Sequence, residues 1–217
     1  MEDEAIKKRK RIKKLRDSIA SIYNQFYAWK ALQNKAYNKT YKKQKYFWIA
    51  TLNALQFNFL MELAKLFEKN KEHKSYTVLS FDLLLDNIED EDFKNEIYKK
   101  IKNKEKSIKN LLGWRNKKLA HNDEDYMIEP DKILENFPLK YQEIESLLEL
   151  IQEIFSDIVS KYKGKSIKES FDWVLKEESE KNTEYIVELI EEGRKKKEAD
   201  FNKKINKEKE KLKHNKK

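Results

Sequence analysis

The stretch PLKYQEIESLLELIQEIFSDIVSKYKG, Pro138 to Gly164, decides the fold class. Its apolar residues Ile144, Leu147, Leu148, Ile151, Ile154, Phe155, Ile158 and Tyr162 recur every three or four positions. That spacing draws one stripe along an α-helix and has no counterpart in a strand. Pro138 suits the first turn of such a helix. Gly164 suits the left-handed residue that ends one.

Working outward, the same period returns in most of the chain. A first helix is expected from about Glu4 to Asn38, with the seam Ile12, Leu15, Ile19, Ile22, Phe26 and Trp29. Its opposite face begins with Lys7, Lys8, Arg9, Lys10, Lys13 and Lys14, which reads as a solvated basic surface. Tyr37 to Lys45 is a polar connection or a weak point in a continuous helix. A second helix is expected over Gln44 to Lys69, with Trp48, Leu52, Leu55, Phe59, Leu63 and Leu66 turned inward. This is the most hydrophobic part of the chain, yet it contains Asn53, Gln56, Asn58 and Glu62, so it reads as a core helix and not a membrane span. Ser80 is placed to cap a short helix through Leu83, Leu84 and Leu85.

A third long helix is expected to start after Glu89-Asp90-Glu91-Asp92, whose carboxylates complement a helix N-terminus, and to run to about His121. Its stripe is Ile97, Ile101, Ile108, Leu112 and Leu119. Beyond Gly164 the pattern weakens. Phe171, Val174 and Leu175 form one patch; Tyr185, Ile186, Leu189 and Ile190 form another, closed by Gly193. The polar interval KEESEKNTE between them suggests two separate helices, followed by a Lys-rich tail. The expectation is an all-α bundle of four to five core helices over residues 1–163, with a helical extension over 164–217.

Composition agrees. Only 3 Gly and 2 Pro in 217 residues leave too few turn formers for a sheet or sandwich. The 4 Trp, 11 Phe and 11 Tyr argue against disorder. There is no Cys, which excludes disulfides and thiolate metal sites. The N-terminus MEDEAIKKRKRIKK lacks an apolar core of a signal peptide, so a cytoplasmic, non-membrane location is expected. The formal charge of +9 suits a polyanion, though a general lysine bias accounts for it equally well.

Most catalytic constellations are absent. No Gly-rich phosphate loop and no HExxH occurs; His73 has no chemical partner nearby in sequence, and His214 sits in a Lys-rich end that reads as solvated. One segment differs: Trp114-Arg115-Asn116-Lys117-Lys118-Leu119-Ala120-His121. Leu112, Arg115 and Leu119 share one helical face, so the guanidinium falls on an apolar seam. Arginine cannot shed its charge there, so it must meet an anion, either a carboxylate of the fold or a phosphate from outside. His121 can move protons near neutral pH, and Asn116 offers both a donor and an acceptor. Such a set suits phosphodiester cleavage that uses the 2′-hydroxyl of RNA, with no metal or cofactor. On an ideal α-helix, residues six apart diverge by roughly 120° and rise about 9 Å. One helix therefore makes a loose site, and two copies across a two-fold axis would complete it.

These residues resemble the HEPN superfamily of prokaryotic ribonucleases, most closely its abortive-infection branch. The signature is Arg, four to six residues, then His, often with a polar residue directly after the Arg. Here Asn116 follows Arg115, and five residues separate Arg115 from His121. The resemblance implies a homodimer whose paired motifs cleave RNA in phage defence or under the control of an antitoxin protein. By transfer Arg115 and His121 are catalytic and Asn116 positions them, with Lys117, Lys118 and Trp114 as the expected substrate contacts. One toxin branch carries a modifiable Tyr two residues after the His; this chain has Asp123 there, and Tyr126 is out of register. The alternative is a non-catalytic bundle that binds RNA, a nucleotide or a partner protein.

Overall fold

The computed structural model describes residues 2–35, 45–69, 78–120, 124, 128–129, 131–164 and 172–214. Among these there is no strand. The elements are α1 (Glu2–Lys35), α2 (Lys45–Leu66), α3 (Phe81–Leu85), α4 (Glu91–Asn103), α5 (Glu105–Trp114), a π-helical turn (Arg115–Ala120), α6 (Lys132–Asn136), α7 (Tyr141–Lys163) and α8 (Asp172–His214).

The core is one cluster that runs through α1, α2, α5 and α7. Most of the stripes read from sequence face into it, except that Trp48 packs in a smaller cluster with Leu32 and Val187 and that Leu111, not Leu112, is the fully buried residue of α5. Leu15, Ile19, Ile22 and Phe26 of α1 meet Phe59, Leu63 and Leu66 of α2 and the apolar face of α7. Phe26 packs edge-on against Phe59, with ring centres 5.6 Å apart. Polar ties fix the antiparallel register of α1 and α7. The Tyr23 hydroxyl donates to the Leu148 carbonyl at 2.8 Å, and Lys30 pairs with Glu145 at 3.1 Å. Burial works against the Lys30 charge, but its bonds to Tyr141 and Glu145 outweigh that and raise its pKa. On the other side of α7, Lys100 of α4 bridges Glu153 and Asp157 at 2.6 and 2.7 Å.

Caps follow the sequence where side chains supply them. Ser80 accepts from the Leu83 amide at 3.4 Å, and Asp90 accepts from the Phe93 amide at 3.0 Å. Gly164 ends α7 with φ 62°, a conformation that favours glycine.

Three expectations need correction. The helix expected from the acidic stretch to His121 is broken at Lys104, whose φ of −113° and ψ of 15° are not helical. Residues 102–107 hold no apolar side chain, so nothing in the core opposes the break. Pro138 lies three residues before α7 instead of in its first turn; the Lys140 N–H is capped by Glu143 at 2.7 Å. Val174 and Leu175 of the first patch and all of the second belong to one helix, the 43-residue α8, which passes through Gly193; Phe171 lies outside the described residues. A helix tolerates an interior Gly for about 1 kcal/mol. The polar interval is held by local pairs such as Lys181 with Glu177 at 2.5 Å, and by Ser179, which donates to Asn24 of α1 at 2.9 Å. Its inward residues are Thr183, Val187 and Ile190, whereas Tyr185, Ile186 and Leu189 stay exposed.

Candidate functional site

Helix α5 is clamped along one face before the motif begins. Asn110, Gly113 and Trp114 lie three and four positions apart and meet the chain between α6 and α7. The Asn110 amide donates to the Pro138 carbonyl at 2.5 Å, and the Trp114 indole N–H donates to the Phe137 carbonyl at 2.8 Å. Gly113 lets the Phe137 ring lie directly against the helix, where any Cβ would overlap it. Trp114, expected as a substrate contact, is thus a buried core residue that anchors the helix immediately before Arg115.

From Arg115 to Ala120 the backbone winds as a π-helix. Hydrogen bonds then span five residues in place of four, so each turn holds more residues. The angle of about 120° reckoned between positions 115 and 121 assumed an α-helix and does not carry over. His121 itself lies outside the described residues, as does the side chain of Lys118. Asn116 and Lys117 are exposed.

Arg115 meets its anion inside the fold. Its Nη2 lies 2.5 Å from Oε1 of Glu68, a carboxylate only 5% exposed, while the arginine side chain keeps 20% exposure. Nη1 donates to Oδ1 of Asn116 at 2.7 Å. Nε has no hydrogen-bond partner among the described residues. A guanidinium has five N–H donors. One on Nη1 bonds Asn116, Nη2 is held by charge against Glu68, and Nε is buried, so a further anion reaches the group only through the remaining Nη hydrogens.

Glu68 was not legible in the sequence. It lies off the inward stripe of α2, next to a hydrophilic run. It is turned inward by tight bonds at the helix end, from Phe67 N–H to the Ala64 carbonyl at 3.1 Å and from Glu68 N–H to the Lys65 carbonyl at 3.2 Å. Such three-residue bonds tighten a last turn, and no residue type announces them. Among the described residues no cluster of three potential metal ligands occurs, and no helix is long and apolar enough to cross a membrane.

A helical bundle with Arg-Asn at the exit of a core helix, followed by Ala-His, has the features of the HEPN class. The chain belongs to the HEPN_AbiU2 family (AbiU2), a HEPN-type abortive-infection family whose model matches residues 7–205. The match runs through α1 to α7 and most of α8. No curated protein and no solved structure matches the chain.

Proposed function

We propose that this chain is a metal-independent endoribonuclease of a phage-defence or toxin–antitoxin system, cleaving RNA at a site shared by two copies. The observation that carries the reading is Arg115: a part-exposed guanidinium paired with Glu68 and bonded to Asn116, six residues before a histidine. In this reading one His121 takes the proton of the 2′-hydroxyl. The 2′-oxygen attacks phosphorus, the 5′-oxygen leaves with a proton from the second His121, and a 2′,3′-cyclic phosphate remains. Arg115 holds the non-bridging oxygens as charge builds on them. Lys117 and Lys118 attract the flanking backbone, and Trp114 sets the position of the motif from within the core. The partners are RNA, a second copy and an antitoxin protein, in the cytoplasm.

One observation favours a second reading. A buried carboxylate already answers the charge of Arg115, as in a bundle that only binds RNA, a nucleotide or a protein. The discriminating experiment is RNA cleavage in excess chelator by Arg115→Lys and His121→Ala. The lysine keeps a cation opposite Glu68 but cannot form the two-pronged contact. The nuclease reading expects activity to fall by about 10²- to 10⁴-fold in each, with the helical circular dichroism unchanged. Undiminished cleavage in both variants would overturn the Arg115–His121 site, and absence of cleavage by the wild type would leave the binding bundle.

A further inference from the structure

The ten residues Lys7 to Arg16 hold eight Lys or Arg and no Asp or Glu. The whole chain has 48 against 39, so the other 207 residues hold 40 against 39. Nearly all of the formal +9 is therefore one tract at the start of α1. A general lysine bias does not explain that. It spreads cations among carboxylates, as in α8, where Glu198, Asp200 and Glu208 interrupt the basic end. Nor is the tract only lysine. Three of the five Arg in the chain, Arg9, Arg11 and Arg16, stand in it, and each of the other two holds a carboxylate.

The fold divides these cations in two. Lys8 lies over the Tyr162 ring of α7 at 5.7 Å, Arg11 acts on the same phenol, and Lys7 and Arg16 have contacts of their own. Arg9, Lys10, Lys13 and Lys14 are exposed, and no ion pair answers them among the described residues. On a helix these four fall within about 140° of arc, opposite Leu15 and Ile19, which are fully buried. Arg9 with Lys13, and Lys10 with Lys14, are like charges one turn apart, which opposes the helix. A ligand that lays negative charge along this face relieves that repulsion.

The tract stands at the Arg115 end of the bundle. Ser18 of α1 meets Glu62 of α2 at 3.4 Å, and Leu32 clusters with Trp48, so the two helices are antiparallel. Ile12 lies six residues before Ser18 and Glu68 six after Glu62, each about 9 Å along the chain. Glu68, with Arg115 upon it, is therefore level with the middle of the tract. The basic end of α8 is not. Ser179 meets Asn24 and Val187 clusters with Leu32, so α8 runs parallel to α1, and its residues beyond Gly193 lead away from the tract.

We propose that Arg9, Lys10, Lys13 and Lys14 grip the phosphate backbone of an RNA strand beside Arg115, without reading its bases. A phosphodiester chain carries a charge at every nucleotide and no cation of its own, which matches a face of cations with no carboxylate. A protein partner needs apolar contact at the centre of its interface, and a membrane surface needs an exposed apolar face. Here the apolar face of α1, with Ile12, Leu15 and Ile19, is taken up by the core. This grip rests on the reading of RNA as the substrate, but not on its being cut.

The test uses the full-length chain with His121→Ala, so that a labelled oligouridine is bound and not cleaved. Changing Arg9, Lys10, Lys13 and Lys14 together to Gln keeps good helix formers and removes four charges. The helical circular dichroism is expected to stay, whereas affinity at about 0.1 M salt falls by about 10²-fold or more. The slope of log affinity on log salt flattens by about 3, since each phosphate contact on a single strand contributes about 0.7. Lys195, Lys196 and Lys197 changed together to Gln, at the far end, are expected to alter affinity only slightly. An equal loss in both variants, or an unchanged slope in the first, would overturn the grip. So would four Gln that hold oligouridine as before but lose anionic vesicles or polyglutamate, which would make the tract a lipid or protein surface. RNA bound through the tract but never cut by the wild type would sink the nuclease reading and leave the grip. Cleavage at unchanged KM by the four-Gln chain with His121 restored would do the reverse.

Discussion

Arg115 and Arg194 are equally sheltered, each with a side chain 20% exposed and an Nε that lacks a hydrogen-bond partner among the described residues. They differ in where the partner comes from. Arg194 pairs at 3.1 Å with Glu198, one turn along its own helix and 46% exposed. Arg115 reaches Glu68 on another element, 5% exposed. The first pair is a property of one helix and would form wherever that helix forms. The second exists only once α2 and α5 have packed. Equal burial of a cation therefore says little about its weight; the exposure of the anion decides whether loss of the cation strands a charge away from water.

The largest expected effect tests that distinction. Arg115→Met leaves the Glu68 carboxylate buried without its cation and is expected to cost about 3–5 kcal/mol in urea denaturation. Arg194→Met leaves Glu198 in water and is expected to cost about 0.5 kcal/mol or less. The double variant Arg115→Met with Glu68→Leu removes both charges and is expected to recover most of the loss, because apolar replacements of a buried pair are often neutral. A double variant no more stable than Arg115→Met would break the comparison.

The two interior glycines divide the same way. Gly113→Ala drives a methyl into the Phe137 ring. Overpacking costs about 1–3 kcal/mol, against a helix gain of about 1, so a net loss of up to about 2 kcal/mol is expected. Gly193→Ala meets open space and keeps only the gain, about 0.5–1 kcal/mol of added stability. Thermal denaturation of the two variants should shift in opposite directions. A shift of the same sign in both would show that the Phe137 contact does not constrain α5.

What was legible follows from the range of each interaction. The α7 stripe, the Ser80 cap, the helix start at the acidic stretch Glu89–Asp92 and the Gly164 stop are signals contained within a few residues, and the structure holds all four. The need of Arg115 for an anion was also legible from the chemistry of an arginine at a partly enclosed position, although the buried face of α5 runs through Ile108, Leu111 and Trp114 and not through the expected Leu112 seam. The identity of that anion was not, since Glu68 is brought round by a tight backbone turn. The break at Lys104 and the π turn at Arg115 were missed for a similar reason. Both are backbone adjustments that let α5 fit against α2 and the Phe137–Pro138 segment, and a stripe read on an ideal helix cannot register them. In α8 the error was the reverse: a polar run and a glycine were read as an end, although neither stops a helix that has local ion pairs.

The smallest effect lies between the two kinds of contact. Tyr98 of α4 donates to Asp82 of α3 at 3.2 Å, a contact between elements as for Arg115, but on a side chain as open as those of Arg194's helix. Burial of the phenol, then the negative charge and hydrogen bond of Asp82, push its pKa up to about 12. A raised pKa means that the folded state favours the protonated phenol. The stabilisation is therefore fully present below the ordinary value of 10.0 and is lost as pH rises through about 12. Absorbance titration of the wild type minus Tyr98→Phe should isolate one late-ionising tyrosine, above the value for a free phenol. At pH 7 the same substitution should change stability by no more than about 1 kcal/mol, as expected for one hydrogen bond on the surface. A difference titration centred near 10 would show that reaching across elements is not enough, and that only a partner as enclosed as Glu68 changes the chemistry of the group it holds.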